Sequence, residues 1–180
     1  MAHIYPFEGH WPEIHPTAFV APTATIVGRV VIEEEASIWF GAVLRGDEPA
    51  HEIRIGARTS VQDNVVVHVS ARGPTIVGPE VTLGHGAVLE SCRIGRRAVV
   101  GMGAIVLQEA EVGEEALVAA GAVVGVGQRV PPRHLVAGVP AQVKRELSGE
   151  ALAWVLHSAD HYVDLARRYR AQGLATVVSG

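Results

Sequence analysis

A hydrophobic residue returns at every sixth position in two stretches of the chain: Ile14, Val20, Ile26, Ile32, Ile38 and Leu44, then Ile94, Val100, Val106, Val112, Val118 and Val124. Four residues after most of these stands a small side chain: Ala18, Ala24, Ala36 and Ala42, then Ala98, Ala104, Ala110, Ala116 and Ala122. A period of six fits no α-helix, but it is a multiple of the two-residue alternation of a strand. Short strands with a bend after each unit satisfy both periods. Repeats of this kind build an all-β parallel β-helix. With three units per turn, residues about 18 apart stack at the strand spacing of roughly 4.7–4.9 Å, and the aliphatic side chains line a narrow prism.

Composition suits such an interior, since 48% of the residues are hydrophobic and only 5% aromatic. At 180 residues one folding unit is expected. The formal net charge of −4 argues against a nucleic-acid footprint, and no basic run suggests a membrane surface. The lone Cys92 excludes an intramolecular disulfide framework and favours the cytoplasm. No uncharged apolar run approaches the roughly 18 residues of a spanning helix, and the first residues do not read as a secretory leader.

The six-residue register breaks twice, and breaks in a solenoid are where loops leave the stack. The first holds RGDEPAHEIR between Leu44 and Ile55; the second holds HVSARGPT between Val67 and Ile76. Beyond Val124, Pro131, Pro132 and Pro140 cannot donate ladder hydrogen bonds and mark the end of the repeats. Leu152, Val155, Leu156, Ala159, Tyr162, Val163 and Ala166 then recur at three- and four-residue steps. This predicts an amphipathic helix over 149–171, with Ser148 as N-cap and Gly173 as stop. The expected organisation is a β-helix over 1–147, with the helix and tail over 148–180 packed on it.

Of nine histidines, His68 and His85 stand out. Their separation is close to one β-helix turn, which places them on neighbouring levels near one edge. Arg45, Asp47 and Glu48 lie in the first register break, and Gln62 and Asp63 just before His68. A carboxylate, a carboxamide and an imidazole converging from successive turns can hold a metal and orient its water. The same residues also read as satisfied corner groups and as an Arg45–Asp47 ion pair at a subunit contact.

The ordered runs WFGAVLRGDE, VQDNVVVHV, VTLGHGAVLESC and IGRRAVVGMGAIV, followed by LVAGVPAQV, resemble the γ-class carbonic anhydrase family. The resemblance covers nearly the whole chain, including the HYVDLARRYR segment. It implies a left-handed parallel β-helix, a homotrimer, and a zinc site (iron or cobalt as alternatives) shared between two subunits. The substrate it implies is carbon dioxide or bicarbonate. His68 matches the first metal ligand and His85 the second. The third histidine of the pattern is replaced by Glu90. Gln62 matches the glutamine that hydrogen-bonds the nucleophile or bicarbonate, Glu48 a carboxylate that assists proton transfer, and Arg45, Asp47 and Asp63 the interface network. Tyr162 matches a tyrosine that closes the site in some members.

Two histidines and a glutamate are an accepted zinc donor set. An anionic donor nevertheless lowers the effective charge on the metal, so bound water gives up its proton less readily than in a three-histidine site. Some members carry a proton-shuttling glutamate in a long loop after the first ligand; the corresponding VSARGPT has no carboxylate. Two other functions share the repeat pattern: acyl transfer with His85 as base, and a non-catalytic trimeric scaffold in which Glu90 is ion-paired with Arg93, Arg96 or Arg97.

Overall fold

The computed structural model describes residues 2–176, in which 22 strands precede one helix. Successive six-residue units feed three different sheets in rotation, giving a left-handed parallel β-helix of about seven turns. One sheet runs through His3–Tyr5, Thr25–Gly28, Val43–Gly46, Val66–His68, Val88–Glu90, Ile105–Val106 and Val123–Val124. The second contains Ile53–Ile55, Thr75–Val77 and Arg93–Ile94; the third contains Ser60–Val61, Thr82–Leu83 and Val99–Val100. All pairings between these strands are parallel except the last, where Gln142–Glu146 returns antiparallel to His134–Ala137.

The predicted ladders form the core. Ile26, Leu44, Val67, Leu89, Val106 and Val124 stack inside the first sheet, each fully buried. The alanines of the repeat fill the tight positions beside them. Each turn climbs by one strand spacing, whatever its residue count. The steps from Ile26 to Leu44 and from Val106 to Val124 each consist of three hexapeptide units. Those from Leu44 to Val67 and from Val67 to Leu89 carry additional residues. The two breaks in the hexapeptide register absorb this excess as loops.

One corner carries a ladder of opposite charges. Glu35, Arg58, Glu80, Arg97, Glu115 and Arg133 occupy equivalent positions with φ between +51° and +60°. Their side chains pair in sequence, at 3.2, 3.9, 3.1, 3.8 and 2.8 Å. Non-glycine residues in this left-handed region are uncommon. Backbone bonds hold them there: Glu80 N–H donates to Ala57 O and Arg97 N–H to Pro79 O.

Helix α1 spans Gly149–Ala171, the predicted extent. Ser148 takes the N-cap position with extended backbone, but its hydroxyl makes no capping bond. The helix packs on the third sheet, where Ala166 joins Phe19 and Trp39 in a buried cluster and Tyr169 meets Trp39 edge-on at 5.2 Å. Asp160 binds Arg58 at 2.5 Å and Arg167 binds Glu35, tying the helix to the charge ladder.

Leu89→Ala should lower the unfolding free energy by about 2–5 kcal/mol, because a rigid ladder cannot collapse into the gap. Burial raises the Glu80 carboxyl pKa, but hydrogen bonds from Arg96 and Arg97 outweigh it and hold the group below the usual carboxylate range. Its contribution is therefore fully present above the ordinary glutamate value of about 4.3 and is lost as pH falls through the lower folded value. Glu80→Gln should flatten the acid limb of stability against pH; parallel curves for variant and parent would contradict this linkage.

Candidate functional site

Strand alternation turns His68 outward from the first sheet, next to the inward Val67. Its register partners on the adjacent turns are Arg45 and Glu90, so the three form one outward column. Within it His68 Nε2 lies 3.0 Å from Asp47 Oδ1, and Nδ1 lies 3.9 Å from Glu90 Oε2. Asp47 also binds Arg45 in the same chain. Burial raises the Asp47 pKa, yet the His68 hydrogen bond and the Arg45 charge prevail and keep it low. An ionised Asp47 can only accept, so Nε2 donates to it, and Nδ1 is the ring atom turned toward Glu90. The other Glu90 oxygen, Oε1, accepts from Gln108 Nε2 at 3.0 Å.

His85 stands elsewhere, on the corner between Thr82–Leu83 and Val88–Glu90. The expectation that it stands at a level next to His68 near the same edge is corrected by the turn length. The loop after His68 lengthens that turn, so the residue above His68 is Glu90, and His85 falls at the preceding corner. There its Nδ1 pairs with Asp63 Oδ2 at 2.8 Å, and its backbone N–H donates to Gln62 Oε1 at 3.1 Å. Because that N–H can only donate, the carboxamide orientation of buried Gln62 is fixed and its two N–H donors remain available.

Glu48 lies beside Asp47 in the first loop, with Oε1 accepting weakly from Ala50 N–H at 3.4 Å. Tyr162 is carried by α1 on the third sheet, among Phe19, Trp39 and Ala166, and is not part of the His68 column. Arg96 and Arg97 are engaged by Glu80, so the ion pairs expected of them with Glu90 are not formed. Buried Cys92 has its thiol pKa pushed up to about 12 by desolvation and stays neutral. Gln108 escaped sequence reasoning although it follows Glu90 by three hexapeptide units, a full turn of the regular repeat.

The His68–Glu90 pair fits a divalent metal. Two donors at 2.0–2.2 Å from a tetrahedral ion are about 3.4 Å apart, close to the observed gap. The donor set is right in kind, and both members have hydrogen-bonded supports, Asp47 and Gln108. Among the described residues, however, no three His, Cys, Asp or Glu groups come together as a complete set. One chain brings His68 and Glu90 together here and presents His85 at another edge.

These features define a hexapeptide-repeat β-solenoid that carries an outward His68–Glu90 pair on one sheet and a separate Asp63–His85 pair at a corner. The chain is 50% identical to a probable carbonic anhydrase of Methanocaldococcus jannaschii, over 82% of this chain and 91% of that protein. It is 42% identical to a carbonic anhydrase of Geobacillus kaustophilus, over 93% and 91% respectively. Identity to the mitochondrial gamma carbonic anhydrase 1 of Arabidopsis thaliana is 40%, over 89% of this chain but 60% of the plant protein. The chain thus spans less than two thirds of the plant relative's length. No protein-family model matches it. A crystal structure described as a putative acetyltransferase from Bacillus cereus superposes with a TM-score of 0.92 at 41% identity, covering 95% and 98% of the two chains. The chain belongs to the γ-class carbonic anhydrase family.

Gln62→Leu removes the acceptor of the His85 N–H and should cost about 1–3 kcal/mol of stability in urea unfolding. An unchanged midpoint would mean that the carboxamide does not anchor the His85 corner.

Proposed function

We propose that the protein catalyses the reversible hydration of carbon dioxide to bicarbonate at a divalent-metal site shared between subunits of a homotrimer. The carrying observation is the His68–Glu90 pair, 3.9 Å apart on an outward sheet face, with the remaining donor of the family pattern, His85, held at a different edge. A second copy that presents its His85 to this pair completes the donor set. The surface next to the pair supports such a contact: Val43, Val66, Val88 and Ile105 form an outward apolar column, with Val66 and Val88 each more than a third exposed.

When bound, zinc, or iron or cobalt in its place, supplies Lewis acidity that makes water nucleophilic near neutral pH. The protein groups do the rest. Asp47 keeps His68 in the tautomer that offers Nδ1, and Gln108 restrains the Glu90 carboxylate. Gln62, its oxygen occupied by the His85 amide, directs N–H donors and so selects an oxygen acceptor such as bicarbonate. Glu48 is the carboxylate placed to pass a proton to solvent, and Asp63 and Arg45 hold His85 and Asp47. Tyr162 closes the site only from a neighbouring subunit in this reading. Glu90 tempers the acidity of the metal, so the rate at neutral pH is lower than that of a three-histidine site. The single buried Cys92 fits a reducing compartment, and the cytoplasm is the proposed location.

Acyl transfer is the second reading, favoured by the description of the Bacillus cereus neighbour and by the Asp63–His85 pair, an oriented imidazole of the kind a general base requires. Saturable acetyl-CoA binding in calorimetry would support it.

Protein purified without chelators should hold stoichiometric divalent metal by elemental mass spectrometry. His68→Ala and His85→Ala should each abolish hydration, and mixing the two after subunit exchange should restore part of it. Full activity in either variant alone would refute the shared site, and a trimer that refuses added zinc, cobalt and ferrous iron would point to a scaffold.

A further inference from the structure

The last rung of the first sheet before the long loop joins His68 to Glu90, and beyond it the two backbones separate. The direct bond that would continue the ladder, Ser91 N–H to His68 O, is stretched to 3.4 Å. A side chain takes over. Thr75, fully buried at the start of Thr75–Val77, donates its hydroxyl to His68 O at 2.5 Å and accepts the Ser91 N–H at 2.7 Å. Ser91 in turn is tied to the loop, its Oγ accepting Ser70 N–H at 2.9 Å and lying 2.8 Å from Ser70 Oγ. A single hydroxyl therefore bridges the carbonyl of one candidate donor residue to the peptide that follows the other.

We propose that Thr75 is a positioning residue for the metal donors, its hydroxyl setting the separation of His68 and Glu90 through their backbones. The inference rests on the metal reading above. Thr75 touches neither donor side chain nor substrate. It acts where the ladder can no longer act, because the loop makes the His68–Glu90 rung the place where backbone pairing ends. The Glu90 side chain has three rotatable bonds where the histidine of the family pattern has two, so a fixed backbone matters more for its aim.

The test is a Co2+ titration of the assembled protein, followed through the visible absorption bands that report coordination geometry. Thr75→Val keeps shape and loses the hydroxyl; Thr75→Ser keeps the hydroxyl. Thr75→Val should weaken Co2+ binding by about 10- to 100-fold, the usual effect of losing a group that orients a ligand, and should shift the bands. Thr75→Ser should restore both. In the same proteins, hydrogen exchange at the Ser91 amide should be fast in Thr75→Val and protected in the parent and Thr75→Ser. Unchanged Co2+ affinity in Thr75→Val, with fast Ser91 exchange, would overturn the proposal and leave Thr75 a purely structural clamp. Weakened binding that Thr75→Ser fails to rescue would overturn it too, by assigning the effect to packing. A parent protein that takes up no Co2+ would overturn the metal reading itself, which the parent titration alone reveals. Where Thr75→Val does not fold, Thr75→Cys, with a weak S–H donor in similar volume, provides the hydroxyl-poor variant.

Discussion

The outward side chains of the sheets are placed by the stacking of the inward ones. Leu44, Val67 and Leu89 lie directly above one another in a prism too narrow to admit a slipped register. Moving a strand by one residue would turn its apolar set to solvent, so the burial of these ladders fixes the pairing. The consequence lies on the other face. Arg45, His68 and Glu90 each follow a ladder residue by one position, and they inherit its alignment. The chemistry of the column is thus a by-product of core packing, with no need for a flexible loop to bring the groups together.

Loops enter by changing the residue count of a turn without changing its height. Two lengthened turns flank His68, one from Leu44 to Val67 and the next from Val67 to Leu89. They supply what a uniform solenoid lacks: Asp47 and Glu48 from the first, and the Ser70–Thr75–Ser91 hydroxyl network at the base of the second. Departure from the repeat and presence of the candidate site coincide because a regular turn exposes its outward residues along the rungs and cannot reach sideways to support them.

The same logic explains what could be read in the chain beforehand. The core ladders and the bounds of α1 follow from periodicity, which is local information. The contact of His68 with Glu90 does not, since it depends on how much of the loop is excluded from the turn. Counting one regular turn onward from His68 leads to Gly86, next to His85, whereas the physical partner is Glu90, further along the chain by the length of the excluded loop. Glu90 entered through its place in the motif order, not through spacing. Thr75 and Gln108 lie outside the runs that carry the resemblance, and Ser91 stands in one of them with no role marked for it. Their roles arise from which backbone and carboxylate groups the loop leaves without ladder partners, and that is a property of the folded edge.

The replacement of histidine by Glu90 changes the charge of the column as well as its donor set. Asp47 and Glu90 are two carboxylates against one Arg45, and the His68 ring sits between them. In the proposed metal reading, a divalent cation would offset this negative charge, so the substitution would favour occupancy while reducing the acidity the ion could lend to water. In that reading, affinity and reactivity would be driven in opposite directions by one side chain. Glu80 engages both Arg96 and Arg97, so neither withdraws Glu90 from this role. Glu90 instead takes a hydrogen bond from Gln108, a neutral partner that restrains its carboxylate and leaves its charge facing His68.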